Sequence, residues 1–107
     1  MNYDFMRLII FFDLPVKTKK DRKIYTKFRS LLIKRGFFMI QYSIYTKILA
    51  NRDSSESEKQ FIKKIVPENG NIRIMVVTEK QYAKMEIIIG GISNQEKTLT
   101  EDNFLEI

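Results

Sequence analysis

The chain contains no cysteine and no histidine. Without thiols there is no disulfide framework, no thiolate nucleophile and no zinc finger. Without imidazole the usual general base at neutral pH and the commonest metal ligand are both missing. A catalytic triad and a histidine-based nuclease are therefore excluded. Any catalysis must run on carboxylates, Lys, Tyr, hydroxyl groups or a hard metal ion. Long hydrophobic runs are missing too. Leu8 to Phe12 is too short for a signal-peptide core and is interrupted by Asp13, and no stretch approaches a membrane span. The expectation is a cytoplasmic protein with no membrane partner.

What is present fits one small domain. The 107 residues are 44% hydrophobic and 30% charged. A chain of this length buries only about two thirds of its unfolded surface, so burial against a second copy adds useful stability. The net charge is +6, and its distribution is uneven. Between Lys17 and Arg35 lie nine basic residues against Asp21 alone, whereas the rest of the chain carries ten basic and twelve acidic residues. One segment supplies the whole positive excess, which points to a polyanionic partner.

The hydrophobic pattern predicts a ferredoxin-like order, β-α-β-β-α-β, in an α+β domain. Arg7 to Phe12 reads as a central strand, ended by Asp13-Leu14-Pro15. Thr18-Lys19-Lys20-Asp21 resembles a capping box, and Ile24, Phe28, Leu31 and Leu32 follow at helical spacing, with Tyr25 flanking. Gly36 is placed to close that helix. Phe37 to Ile40 and Ser43 to Ile48 read as two strands about a Gln41-Tyr42 turn, or as one bent strand. Ser55-Glu56-Ser57-Glu58 reads as a capping box for a second helix through Phe61, Ile62, Ile65 and Val66, ended by Pro67. Ile72 to Val77 is a strand, Thr78 to Met85 a short helical turn, and Ile87 to Ile89 an additional C-terminal strand before a Gly90-Gly91 turn. Residues 1–92 are expected to form the domain and 93–107 a tail. The crossover rule puts both helices on one sheet face. The bare opposite face predicts a homodimer packed through the sheets, with Ile87–Ile89 added to the partner's sheet edge.

Two segments resemble the small CRISPR-associated adaptation protein, the companion of the CRISPR integrase: Leu8-Ile9-Ile10-Phe11-Phe12-Asp13-Leu14-Pro15, and Gly36-Phe37-Phe38-Met39-Ile40-Gln41-Tyr42-Ser43-Ile44-Tyr45. The Asn71–Val77 strand with Thr78-Glu79-Lys80-Gln81 is similar to the branch that accompanies the large single-effector systems (type II-A). The resemblance spans roughly residues 6 to 92. It implies a ferredoxin-like homodimer, flanked by integrase dimers, with a duplex DNA prespacer across the assembly. It also implies metal-dependent endonuclease activity on RNA or DNA, with the metal-binding acid falling on Asp13.

Asp13 has two readings. In one, Asp13 carboxylates of two chains hold Mg²⁺, whose octahedron water and phosphate oxygens complete. In the other, Asp13 binds backbone amides in its own turn. The basic residues Lys17, Lys19, Lys20, Arg22, Lys23, Lys27 and Arg29 are expected to contact phosphates, Arg22 and Arg29 foremost because guanidinium forks match phosphate. The other reading is a solvated helix surface, which a surface of mixed sign would favour. The aromatics after Gly36 partly mimic an RNA-binding signature but stand on the wrong strand, and read as packing. Tyr42, Tyr45 and Tyr82 have two readings, stacking on bases or filling buried strand and helix positions, and the buried positions explain them more economically. The acidic tail, with Phe104 and Leu105, is either a protein-docking segment or a frayed end.

The functional expectation is a DNA-binding scaffold for spacer integration, with Mg²⁺-dependent phosphodiester hydrolysis at Asp13 as a subsidiary activity. A stand-alone, toxin-like endoribonuclease and a small regulatory ligand-binding dimer are the alternatives.

Overall fold

Alternation along the first strand sets the architecture. The computed structural model describes residues 5–89. In β1 (Met6–Asp13), Met6, Leu8, Ile10 and Phe12 point to one side and are buried in the core. Arg7, Ile9, Phe11 and Asp13 point to the other. The next elements are α1 (Lys19–Lys34), β2 (Phe38–Gln41), β3 (Ile44–Leu49), α2 (Ser54–Ile65), β4 (Asn71–Thr78) and α3 (Glu79–Ala83). The sheet order is β2-β3-β1-β4, and each neighbouring pair is antiparallel. This is the expected ferredoxin-like arrangement, with β1 central.

The helix ends follow local chemistry. The Thr18 hydroxyl accepts from the Asp21 amide at 2.9 Å, and the Asp21 carboxylate accepts from the Thr18 amide at 3.1 Å. At the other end Gly36 takes φ +104°, its amide donates to Ile33, and the Phe37 amide donates to Leu32. That pairing satisfies carbonyls the helix leaves open.

Phe12 is the centre of the core. Its ring meets Phe28 edge-on at 5.0 Å, Tyr45 at 5.6 Å and Tyr25 at 5.8 Å. Phe28 and Leu32 are the buried residues of α1, and Tyr25 packs against them. Ile24 is exposed and Leu31 only half-buried. The sheet-facing arc is thus Tyr25, Phe28 and Leu32, rotated from the Ile24, Phe28, Leu31 stripe that spacing alone predicts. Ile24 and Leu31 instead face the end of α2, where they line a cavity with Ile65 and Pro67.

Three further expectations change. Helix α2 begins at Ser54, whose amide donates to the Asn51 side chain at 3.0 Å, so Asn51 satisfies a free N–H there and the expected Ser55–Glu58 box is not formed. Glu58 is turned inward, accepting from Arg35 Nε at 3.0 Å and Lys47 Nζ at 2.9 Å. The hairpin turn is Tyr42-Ser43, one residue later than expected, with an irregularity between Met39 and Gln41. Ile87–Ile89 joins no ladder among the described residues. These residues are 88%, 80% and 62% exposed, because α3 carries the chain off the β4 edge. The Gly90-Gly91 turn and the 93–107 tail lie outside the described residues.

On the sheet face opposite α1 and α2, Arg7 is sealed under α3. Its Nε and Nη2 donate to the two Glu79 carboxylate oxygens at 2.9 and 2.6 Å, and its guanidinium lies 3.8 Å from the Tyr82 ring centroid. Beyond that strap the face is apolar and open: Phe38, Ile48 and Met75 are each about half exposed. Among the described residues no helix is long and apolar enough to cross a membrane.

Candidate nucleic-acid and metal site

Asp13 ends β1 opposite Asn71 of β4 and is exposed. Buried Leu14 beside it anchors the strand end in the core. Asp13 lines a shallow depression of about 300 Å³ with Tyr42, Ser43, Asn71 and Arg73. Arg73 stands opposite Phe11 in the β1–β4 ladder and forms no ion pair among the described residues. The depression thus holds one carboxylate, one guanidinium and one exposed phenol.

The donor set limits the metal chemistry. Among the described residues no three Asp or Glu side chains converge. A rigid all-protein cage is therefore unavailable, and Asp13 fits a hard cation that keeps most of its water and takes phosphate oxygens as ligands, which is the habit of Mg²⁺. Among the described residues Asp13 is the one carboxylate lining the depression.

The basic surface begins beside Asp13. Lys17, Lys19, Lys20, Lys23, Lys27 and Lys34 are all exposed, and none is ion-paired among the described residues. The capping box and Leu14 fix their origin by holding the start of α1 against the end of β1. Arg22 and Arg29 are also exposed, but each has one edge engaged. Arg22 Nη1 donates to the carbonyls of Val16 and Lys17 at 3.1 and 2.9 Å, closing the loop. Arg29 Nε donates to the Tyr45 hydroxyl at 2.7 Å. Both guanidinium groups keep further N–H donors for a phosphate. The lysines have no such tether.

Sequence reasoning missed four contributors. Lys64 of α2 lines a cavity with Lys27 and Leu31, so the basic surface continues onto the second helix. Its signal was the Lys63-Lys64 pair in the last turn of α2. Tyr42 is 71% exposed, not buried, because the turn falls on it. Tyr45 is buried as expected, and Tyr82 covers Arg7. Arg73 and Gly70 flank Asp13 from the far end of the chain, which no local pattern discloses.

Comparison with known proteins identifies the family. Residues 6–85 match the family model for the CRISPR associated protein Cas2. Three relatives carry the name CRISPR-associated endoribonuclease Cas2. That of Campylobacter jejuni is 46% identical over 92% of this chain and 69% of its own length. That of Treponema denticola is 52% identical over 79% of this chain and 84% of its own. That of Acidovorax ebreus is 44% identical over 86% and 90%. A solved structure described as a crystal structure of Cas2 shares the fold with a TM-score of 0.57, at 18% identity, over 96% of this chain and 97% of that one. The chain belongs to the Cas2 family.

Proposed function

We propose that the chain is the double-stranded-DNA-binding subunit of a CRISPR spacer-acquisition complex, working in the cytoplasm as a homodimer that presents a prespacer to the integrase. The observation that carries this reading is the set of exposed lysines starting beside Asp13, none of them ion-paired among the described residues, in a segment from Lys17 to Arg35 where Asp21 is the one acid among nine basic residues. A field of one sign is what a sequence-independent phosphate contact requires.

The open apolar face of the sheet supports pairing with a second copy through Phe38, Ile48 and Met75. Such pairing leaves the two α1 helices on opposite outer sides. The shared track then runs along the edge where β1 ends and α1 begins, through Lys17, Lys19 and Lys20 of both copies. The middle of α1 adds flanking charge. The exposed Ile87–Ile89 segment supports strand addition to the partner's sheet.

A second reading, endoribonuclease action, is favoured by the relatives' name and by the exposed Asp13. In it Asp13 holds Mg²⁺, which when bound activates water and neutralises phosphate charge. Arg73 and the lysines near Asp13 orient the strand. One acid per chain gives little purchase on the nucleophile, so this activity is subsidiary to binding. Capture of an integrase subunit together with duplex binding tests the first reading. Mg²⁺-dependent cleavage that Asp13→Asn abolishes, with neither integrase capture nor duplex binding, would replace it with the second.

A further inference from the structure

We propose that Tyr42 is a stacking platform for an unpaired nucleobase, set beside Asp13 so that a single-stranded or frayed segment is held with its phosphate over the acid. The proposal rests on the nucleic-acid reading of the Asp13 depression and adds to it the strand state that the site selects.

The first observation is the exposure of Tyr42 on an otherwise well-anchored turn. Phe12, Phe28, Phe37 and Tyr45 are spent in the core, whereas Tyr42 is 71% exposed, more than any other aromatic residue described. It is not loose. One face lies nearly parallel to Tyr25, with centroids 5.9 Å apart and 17° between the planes. Tyr25 in turn packs on Phe12 in the core. Tyr42 is thus the exposed member of a two-ring stack braced on the tilted Phe12 ring, and a nucleobase extends such a stack at little entropic cost.

The second observation is strain at the next residue. Ser43 adopts φ +64°, the single non-glycine residue with positive φ among those described. A serine there costs about 1 kcal/mol relative to glycine. Two contacts keep it in place: the Phe12 amide donates to the Ser43 carbonyl at 3.0 Å, and the Tyr25 and Ser43 hydroxyls lie 3.2 Å apart. The stacked ring of Tyr42 holds the residue before it. The turn is thereby tied both to α1 and to the residue just before Asp13. Strain held by contacts and placed next to a candidate metal ligand is the pattern expected where a side chain must be aimed.

The third observation is what shares the depression. Tyr42, Asp13 and Arg73 line it together. A base on Tyr42 leaves its neighbouring phosphate to the Arg73 fork and to a cation on Asp13. A base inside an intact duplex has no free face to offer, so the site discriminates by strand state and not by sequence.

The chain contains no tryptophan, so Tyr42→Trp in the full chain introduces one fluorophore at the proposed platform. It is titrated with a short single-stranded RNA, the matching single-stranded DNA and a blunt DNA duplex, while anisotropy of labelled strands reports binding independently. Indole emission is expected to be quenched to saturation by one or both single strands, which also assigns the preferred sugar, and to change little with the blunt duplex. Tyr42→Ala is expected to weaken single-strand binding roughly ten-fold, Tyr42→Phe to restore it, and duplex affinity to stay unchanged throughout. Single strands that bind without quenching, or that bind Tyr42→Ala as tightly as the parent protein, would overturn the platform and leave the lysine surface standing. Failure of the parent protein to bind either strand or duplex would remove the nucleic-acid reading and the platform with it.

Discussion

Gly70 lies so close to the backbone of Asp13 that a β-carbon added there would stand 2.7 Å from the Asp13 carbonyl oxygen and 2.6 Å from Leu14 Cδ2. The glycine also holds φ +115°, which other residues rarely adopt. The turn before β4 therefore braces the candidate metal ligand from behind. Gly70→Ala is expected to cost about 1–3 kcal/mol, lowering Tm by several degrees, and to displace Asp13. Gly36 is the control. It too has positive φ, but a β-carbon added there would meet only the Lys47 side chain, at 3.3 Å, and no backbone. Thermal unfolding should register both substitutions, and Mg²⁺ affinity should fall only for Gly70→Ala. Equal Mg²⁺ affinity in the two variants would show that the brace does not set the site.

Glu58 predicts an acid-sensitive latch. Burial alone would raise its pKa, but hydrogen bonds from Arg35 and Lys47 outweigh that and hold the carboxyl below the usual carboxylate range. A depressed pKa stabilises the fold fully above the unfolded value of about 4.3, and that stability is lost as pH falls through the folded value. Chemical denaturation at pH 7 and at descending acid pH should therefore show Glu58→Gln less stable than the parent, by about 1–2 kcal/mol at neutrality. The two should converge as the pH falls through the folded value. A gap that persists undiminished in acid would mean that charge is not the source.

The open sheet face predicts a dimer that one charge can break. Met75 is half exposed in the middle of the edge strand β4, remote from α1. A carboxylate at that position in a face-to-face contact would be buried without a partner. Light scattering should find the parent protein dimeric and Met75→Glu monomeric, with an unchanged helical signal by circular dichroism. A dimeric Met75→Glu protein would place the interface elsewhere.

Arg7 makes the α3 strap testable. A lysine there cannot grip both Glu79 oxygens or spread over the Tyr82 ring. Arg7→Lys is expected to destabilise the domain by about 1–3 kcal/mol and to speed amide exchange in α3 before it affects β1. Uniform exchange changes across the sheet would contradict a local strap.

Local chemistry is legible in the sequence, and long-range placement is not. The Thr18–Asp21 box and the Gly36 helix end depend on residues three to five apart, and both form as expected. The strand order follows from alternation and chain crossover rules. Spacing alone, however, identifies a helical stripe without its centre, so it puts Ile24 in the core where Tyr25 belongs. Glu58 reads as part of a helix cap because its cationic partners lie 23 and 11 residues away. Tyr42 reads as buried because a shift of one residue in a hairpin exchanges turn and strand. The lysines after Asp13 are legible from charge and Asp13 itself from the family resemblance, whereas Arg73 and Gly70 reach the same corner only through the β1–β4 ladder.

Duplex binding across a salt series tests the central claim most directly. Parent protein, a Lys17→Ala/Lys19→Ala/Lys20→Ala variant and a Lys27→Ala/Lys34→Ala variant are compared by fluorescence anisotropy with one labelled duplex. If the edge beside Asp13 carries the DNA, the triple variant should bind at least ten-fold more weakly, and its log K against log salt should flatten by about 0.9 for each phosphate that is no longer neutralised. The double variant should bind only slightly more weakly than the parent. A triple variant that keeps the parent affinity and the parent salt slope would contradict the account.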